Sequence, residues 1–339
     1  MTSYNYARYV AQALESVAMQ VYPNLECIIV DDGSSDGSVA TIERWIAMRG
    51  DRRFRLIRTP RNLGELSACA VGLAQGDGEF VAFLDSDDYW LENHLQTHIR
   101  AHLNARMASG VTCSDMFLVD AENRMLSGTI GARDFAAAMR AGSGIEIPER
   151  LIPEWMMEGP VAPGRTQDRG DFPQVRYIPP SLFQWHWTVS SALVFRRTIL
   201  ELMLPSQVPD DRFGADHFML HACHYFSGSI LIDAALGAYR RHGRNGYSSL
   251  PVYGGSAAPA HYSAFSHYGD NFATLLGHVL DRRAILEPLF GTRRVRKLIS
   301  GLTGYLLRQR GRTDDARVKE FLGHHGMIAA RIGETWRRL

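Results

Sequence analysis

Apolar positions recur at two spacings along the first 120 residues, and the alternation between them predicts the architecture. Val10, Ala13, Leu14 and Val17 repeat at helical spacing over residues 9–20, with Pro23 as a stop. "CIIV" (27–30) follows as a short continuous apolar run, the signature of a strand buried on both faces. Val39, Ile42 and Ile46 then mark a second helix closed by Gly50. "FRLIR" (54–58) reads as a strand, 65–74 as a helix, and "EFVAFL" (79–84) as a third strand. A helix over 91–104 and a strand in "GVTCSDMFLVD" (110–120) continue the series. Strands alternating with helices of ten to fifteen residues imply βαβ units and a parallel sheet, and ligands of such sheets gather at the carboxyl ends of the strands.

The pattern degrades between about 128 and 180. That stretch is rich in Gly, Pro and charge, with one short predicted helix at 135–140 and the apolar segment "LIPEWMMEG" (151–159). It reads as an irregular insertion. Order returns with a strand in "SSALVFRR" (190–197), a helix in "HFMLHACHYF" (217–226) and a strand-like "LGAYRRHG" (236–243). The last seventy residues read as mainly helical, without strands.

Composition narrows the function classes. The 339 residues are 45% hydrophobic and 22% charged, and no apolar run reaches the ~18 residues a membrane span needs. No signal-peptide pattern opens the chain. Cys27, Cys69, Cys113 and Cys223 are scattered without a CxxC pair, which argues against zinc and disulfides and for the cytoplasm. Charge is uneven. Of 37 Lys and Arg and 36 Asp and Glu, 14 and 6 fall in residues 271–339, leaving 23 against 30 in the first 270. Nucleic acid is not an expected partner, because no basic patch with interleaved aromatics lies in those 270 residues.

Two acidic clusters stand at predicted strand ends. In "VDDGSSDGSVATIE", Asp32, Ser34, Asp36, Gly37 and Glu43 fall at EF-hand loop positions 1, 3, 5, 6 and 12. An EF-hand needs a helix before its loop, however, and here a β-rich segment precedes it. Two other readings apply: a strand-to-helix turn whose Ser and Asp cap the next helix, and a nucleoside site in which an aspartate accepts the N3 proton of uracil or thymine. No GxGxxG or GxxxxGK[ST] loop is present to take phosphates. The second cluster, "FLDSDDYW", places Asp85, Asp87 and Asp88 after a strand. The Asp85 and Asp87 spacing suits Mg²⁺ or Mn²⁺, whose open positions bind diphosphate oxygens.

Taken together, "TSYN" (2–5), "YPNLECIIVDDGSSDGS" (22–38), "NLG" (62–64), "GEFVAFLDSDD" (78–88), "ADHFML" (215–220) and "YRRHGRNGYS" (239–248) resemble a family 2 glycosyltransferase of the GT-A fold. The resemblance implies an α/β fold with a mostly parallel, Rossmann-like central sheet flanked by helices and a helical C-terminal appendage. It implies a GT-A domain over 1–270, with a nucleotide-binding half at 1–110 and an acceptor half at 111–250, followed by a basic helical region at 271–339. The implied reaction is inverting transfer of a sugar, of the hexosyltransferase type, from a UDP- or dTDP-linked donor to a hydroxyl of a glycan, lipid-linked saccharide or protein. Under it Thr2, Tyr4, Asp32, Asp85 and Ser86 would serve the nucleotide, Asp85, Asp87 and His242 a Mn²⁺ or Mg²⁺ ion, and Asp216 would be the base. Trp185 and Trp187 would offer a platform to donor or acceptor sugar. The basic segment "TRRVRKLISGLTGYLLRQRGR" (292–312) would either rest on an anionic membrane, at the inner face of the plasma membrane, or bury its apolar side against the domain.

Three departures accompany the resemblance. The family carries an apolar strand before the "TSYN" turn, whereas the chain as given starts there, so the first strand is expected to be lacking. Cys69 and Ala70 replace a polar pair, and Ala215 replaces the acid before the base. These support the alternative of a catalytically silent GT-A-like scaffold that binds a nucleotide or partner.

Overall fold

The computed structural model describes residues 1–105, 108–127, 172–180, 187–205, 214–243, 245 and 265–310, with side chains of 265–270 and 308–310 excepted. The expected helix at 135–140, the segment 151–159, Trp185 and the tail beyond 310 lie outside the described residues. The described elements in chain order are β1 (Thr2–Ser3), α1 (Val10–Ala18), β2 (Cys27–Asp31), α2 (Ser38–Arg49), β3 (Phe54–Arg58), α3 (Glu65–Leu73), β4 (Phe80–Ala82), β5 (Tyr89–Trp90), α4 (His94–Asn104), β6 (Val111–Val119) and β7 (Met125–Ser127). After the insertion come β8 (Val175–Ile178), a 3₁₀ turn (Ser190–Ala192), β9 (Leu193–Arg196), α5 (Arg197–Met203), α6 (Ala215–Ser227), β10 (Ser229–Arg240), α7 (Phe265–Asp281), α8 (Arg283–Phe290) and α9 (Thr292–Arg310).

The strands form two sheets. The first, in the order β1-β2-β3, is parallel throughout, with Thr2 opposite Val30 and Cys27 opposite Phe54. The second has seven strands on the path β4-β9-β6-β10-β5, with β7 beside β6 and β8 beside β10. Only β6 and β10 pair in parallel there; the other pairings are antiparallel. The parallel expectation therefore holds for the first sheet, while β4 and β5 of the nucleotide half join the larger sheet, which is mixed. Antiparallel β9 carries no α/β crossover signal in its sequence, because its apolar run looks the same in either direction.

β1 is two residues long and seats Met1 to Ser3 beside β2: the Val30 N–H donates to the Met1 carbonyl, and Thr2 bridges in parallel to Asp85, beyond β4. The loop after α3 meets the residue that precedes β2, with the Asp77 N–H donating to the Glu26 carboxylate at 2.9 Å.

Core packing follows from the sheets. β6 is buried along all nine residues, and α6 fills the space behind it with Phe218, Met219, Leu220, Ala222 and Phe226. On α9, Val295, Leu298, Ile299, Leu302 and Leu306 all belong to the same core. Each such side chain contributes on the order of 2 kcal/mol by leaving water, so the apolar side of this basic helix packs on the domain. Among the described residues no helix is long and apolar enough to cross a membrane.

Candidate active site

Both acidic clusters lie where β2 and β4 end, and the same turn chemistry brings them together. The strand β2, rather than a helix, precedes Asp32, which removes the EF-hand reading. Gly33 adopts φ +74°, and a Cβ there would stand 2.6 Å from the Arg61 carbonyl carbon, so only glycine lets this turn approach residues 61 and 62. Asn5, also left-handed at φ 61°, reaches across from the first turn. Its side-chain oxygen accepts the Ser35 and Asp36 N–H groups at 2.8 and 3.2 Å.

The carboxylates of the first cluster are taken up by the protein. Asp31 accepts from the Ser34 N–H and hydroxyl at 2.9 and 2.6 Å. Asp36 accepts the Ala7 N–H and the Ser38 N–H. Asp32, buried, accepts the Thr59 hydroxyl at 2.9 Å, the Leu63 N–H at 2.9 Å and the Gly64 N–H at 2.9 Å. Both of its oxygens hold the 62–64 loop, and a carboxylate keeps further lone pairs that could accept the expected base N3–H. Nearby, Thr2 accepts the Ser86 hydroxyl at 2.6 Å through its carbonyl, which leaves Ser86 a buried brace. Tyr4 is exposed beside them.

The second cluster is built differently. Asp85 accepts the Ser190 hydroxyl at 2.5 Å, yet burial, followed by the Asp87 charge, pushes its carboxyl up to about 7. Asp87 meets His242, with Nε2 3.0 Å from the carboxylate, so two of the expected trio are in contact, and the Asp87 charge acts on the third, Asp85. The His242 ring is stacked on Tyr9 at a centroid distance of 4.9 Å, which fixes its plane. Tyr6 meets the same imidazole edge-on at a centroid distance of 5.8 Å, and burial and then the neighbouring carboxylates raise its pKa.

Asp88 is a structural acid. It accepts the Ser191 hydroxyl at 2.6 Å and the Arg240 N–H at 2.9 Å, and burial before all else holds its carboxyl well above the usual range. Arg240, buried, donates to the Asp87 carbonyl at 2.7 Å and to Asn123 and Gln12 at 2.6 Å each. This arginine pins the end of β10 so that His242, two residues on, reaches Asp87. Arg240, Tyr6, Asn245 and the Ser190–Ser191 pair escaped the sequence reading; Arg240 and Asn245 stood inside the quoted "YRRHGRNG" stretch, whose pattern alone does not tell a clamp from a surface loop.

Asp216 lies in the first turn of α6. Its Oδ1 accepts the His217 N–H at 2.6 Å, the first-turn role open to an acid in that position. Burial raises its carboxyl, and its charge acts on both Asp85 and Glu65. Glu65, at the start of α3, is raised well above the usual range, by burial first and then by Asp85 and Asp216. The candidate base thus lies close enough to Asp85 and Glu65 for its charge to act on both. Trp187 does not join them. It is 1% exposed and packs edge-on against His221 and His224, so the platform expectation for it is replaced by a core role.

Among the described residues no group of three His, Cys, Asp or Glu stands close enough to hold a metal ion. The donor types at Asp85 and Asp87 nonetheless fit a hard divalent cation, because carboxylate oxygens suit Mg²⁺ or Mn²⁺.

Comparisons with known proteins agree with this geometry. Residues 1–127 match the Glycosyl transferase family 2 model. An uncharacterized glycosyltransferase, alr2836, from Nostoc sp. is 28% identical over 250 residues, 74% of this chain and 66% of that protein. The UDP-Glc:alpha-D-GlcNAc-diphosphoundecaprenol beta-1,3-glucosyltransferase WfgD of Escherichia coli is 34% identical over 99 residues, 29% of this chain and 38% of its own. The chain thus spans just under two thirds of the first relative and well under half of the second. The crystal structure of S. aureus TarS 1-349 in complex with UDP-GlcNAc superposes with a TM-score of 0.51 at 16% identity, over 99% of this chain and 90% of that one, and shows a shared fold. Residues 1–127 thus match glycosyl transferase family 2, and the chain shares the GT-A fold.

Proposed function

We propose that the chain transfers a sugar from a nucleotide-diphosphate donor, UDP- or dTDP-linked, to a hydroxyl of a glycan, lipid-linked saccharide or protein, with inversion at the anomeric carbon. The observation that supports it most is the contact of His242 with Asp87, past the end of β4, with the charges of Asp87 and Asp216 acting on Asp85. The names of the relatives point the same way, since WfgD is a glucosyltransferase with a UDP-Glc donor.

Each residue has a role that its surroundings support. Exposed Tyr4 offers a ring face to the base, and Asp32 holds the 62–64 loop that borders it. Asp85 and Asp87, with His242, would hold Mn²⁺ or Mg²⁺. When bound, the ion would neutralise charge on the departing diphosphate. Asp216 accepts the proton of the acceptor hydroxyl as that oxygen bonds to the anomeric carbon and the bond to the nucleoside diphosphate breaks on the opposite face. A desolvated carboxylate is a better base than one in water, and burial raises Asp216 in that direction. A place in polysaccharide biosynthesis at the cell envelope accords with the relatives' names. The buried apolar side of α9 makes packing, rather than lipid, the partner of that face.

The test is nucleoside diphosphate release. Purified protein incubated with UDP-glucose, UDP-GlcNAc, dTDP-glucose and GDP-mannose in Mn²⁺ should liberate UDP or dTDP slowly without acceptor, and chelator should stop it. Nucleotide binding with no release from any donor would favour the silent scaffold.

A further inference from the structure

Helix α1 begins at Val10, and its N-cap, Tyr9, makes no side-chain capping bond. The segment before it is held from outside instead. Three successive backbone donors turn towards the segment that follows β2: the Asn5 N–H donates to the Ser34 hydroxyl at 2.9 Å, the Tyr6 N–H to the Ser38 hydroxyl at 2.9 Å and the Ala7 N–H to the Asp36 carboxylate at 3.1 Å. The bonding is reciprocal, because the Asn5 side-chain oxygen accepts the Ser35 and Asp36 N–H groups at 2.8 and 3.2 Å. Two turns about thirty residues apart are thereby locked together. Asparagine suits both halves of the lock. At φ 61° its backbone is left-handed, a conformation that Asn and Asp adopt more readily than most side chains, and it supplies an oxygen that glycine lacks.

The far end of the lock reaches the second cluster. The Tyr6 carbonyl accepts the Tyr9 and Val10 N–H groups at 2.9 and 3.0 Å, so Tyr6, Tyr9 and the start of α1 form one hydrogen-bonded unit. Both rings of that unit meet His242: Tyr9 is stacked on it at 4.9 Å with 21° between the planes, and Tyr6 stands edge-on at 5.8 Å and 70°. The Arg240 guanidinium lies 4.7 Å over the same Tyr9 ring. His242 in turn sets its Nε2 3.0 Å from the Asp87 carboxylate. A continuous series of contacts therefore runs from residues 34–38 through Asn5, Tyr6 and Tyr9 to the imidazole and Asp87.

We infer that Asn5 is a positioning residue for His242: by locking residues 5–9 onto residues 34–38 it holds the Tyr6 and Tyr9 rings in place, and these set the imidazole against Asp87. The first acidic cluster then does more than close its own turn, because it aims a group that serves the second. The effect on a cation rests on the proposed role of Asp87 and His242, whereas the placement of the ring is a claim of its own. Groups that orient a metal ligand change metal affinity by about 10- to 100-fold when they are removed.

Two variants separate the parts of the lock. Asn5→Gly keeps the left-handed backbone and removes the oxygen, while Asn5→Asp keeps both. Nuclear Overhauser effects between the His242 and Tyr9 rings are measured in protein labelled at its aromatic residues and histidines, without metal or nucleotide, with the His242 signals assigned by their loss in His242→Gln. They should be present in the wild type and in Asn5→Asp and lost in Asn5→Gly. Those between His94 and Trp90, whose rings stack at 4.4 Å, should persist in all three and report an intact fold. Affinity for Mn²⁺ alone, read from the electron paramagnetic resonance of the free ion, should weaken about tenfold in Asn5→Gly and stay near wild type in Asn5→Asp. Retained His242–Tyr9 effects or unchanged Mn²⁺ affinity in Asn5→Gly would overturn the inference, as would an Asn5→Asp protein as altered as Asn5→Gly. Loss of the His94–Trp90 effects in Asn5→Gly would overturn it as well, since the lock would then hold the whole fold rather than the ring. If the wild type binds no Mn²⁺, the cation reading fails while the ring contacts still decide the placement of His242.

Discussion

The two acidic clusters look alike in sequence, each a strand running into two or three aspartates, and they differ in what answers the charge. Around Asp31, Asp32 and Asp36 the answer is the protein: hydroxyls of Ser34, Ser38 and Thr59 and the backbone N–H groups of residues 7, 63 and 64. Around Asp85 and Asp87 the donors are fewer, and the charges of Asp87, Asp216 and Glu65 act on one another and on Asp85. One cluster is answered by the protein's own donors. The other keeps more of its charge uncompensated, and that difference separates the two more sharply than the count of acids does.

The largest effect should come from the group whose charge reaches the second cluster. Asp216→Asn is expected to lower turnover by about 10² to 10⁴ while UDP binding stays nearly intact; retained turnover in steady-state assays would remove Asp216 from the role of base.

Acid should act next. His94, His102 and His221 are buried neutral, their values pushed down to about 3, about 4 and about 4 by burial. A folded value below the unfolded one of about 6.5 means that the unfolded chain takes the proton first. Stability supplied by these groups is full above pH 6.5 and is lost as pH falls from there towards 4, by about 2 kcal/mol per histidine at pH 5. Urea titrations at pH 7 and pH 5 check this; equal midpoints would contradict the neutral assignment.

A paired substitution sharpens the contrast between the clusters. Asp32→Asn should lower stability by about 1 to 3 kcal/mol, because a buried N–H of the 62–64 loop loses its acceptor. Asp85→Asn should do the reverse at pH 8. Its carboxyl, at about 7 in the fold against an unfolded value near 3.8, is ionised there at a cost that a neutral amide removes, a gain of about 1 to 3 kcal/mol. Thermal melts of the two proteins without divalent ions decide the matter, and the same sign in both would break the comparison.

Much of the nucleotide half was legible because its elements announce themselves locally. "CIIV" and "FRLIR" became β2 and β3 within a residue, and Gly50, at φ 63°, stopped α2 where the reading placed it. The second sheet was less legible. Apolar runs such as "LVFR" carry no mark of direction, and β10 extends back to Ser229 through a stretch whose polarity breaks at Asp233. Within the site, Asp85, Asp87 and His242 were readable as a motif, whereas Arg240 was not. Its partner Gln12 lies on an element remote in the chain, and no spacing rule connects the two.

The most direct test of the central claim is calorimetric titration of UDP into the wild type and into Asp87→Ala, each with Mn²⁺ and with chelator. The account predicts binding by the wild type in Mn²⁺ alone and loss of that binding in Asp87→Ala. UDP binding of equal strength with chelator, or in Asp87→Ala, would show that the second cluster does not hold a cation for the nucleotide.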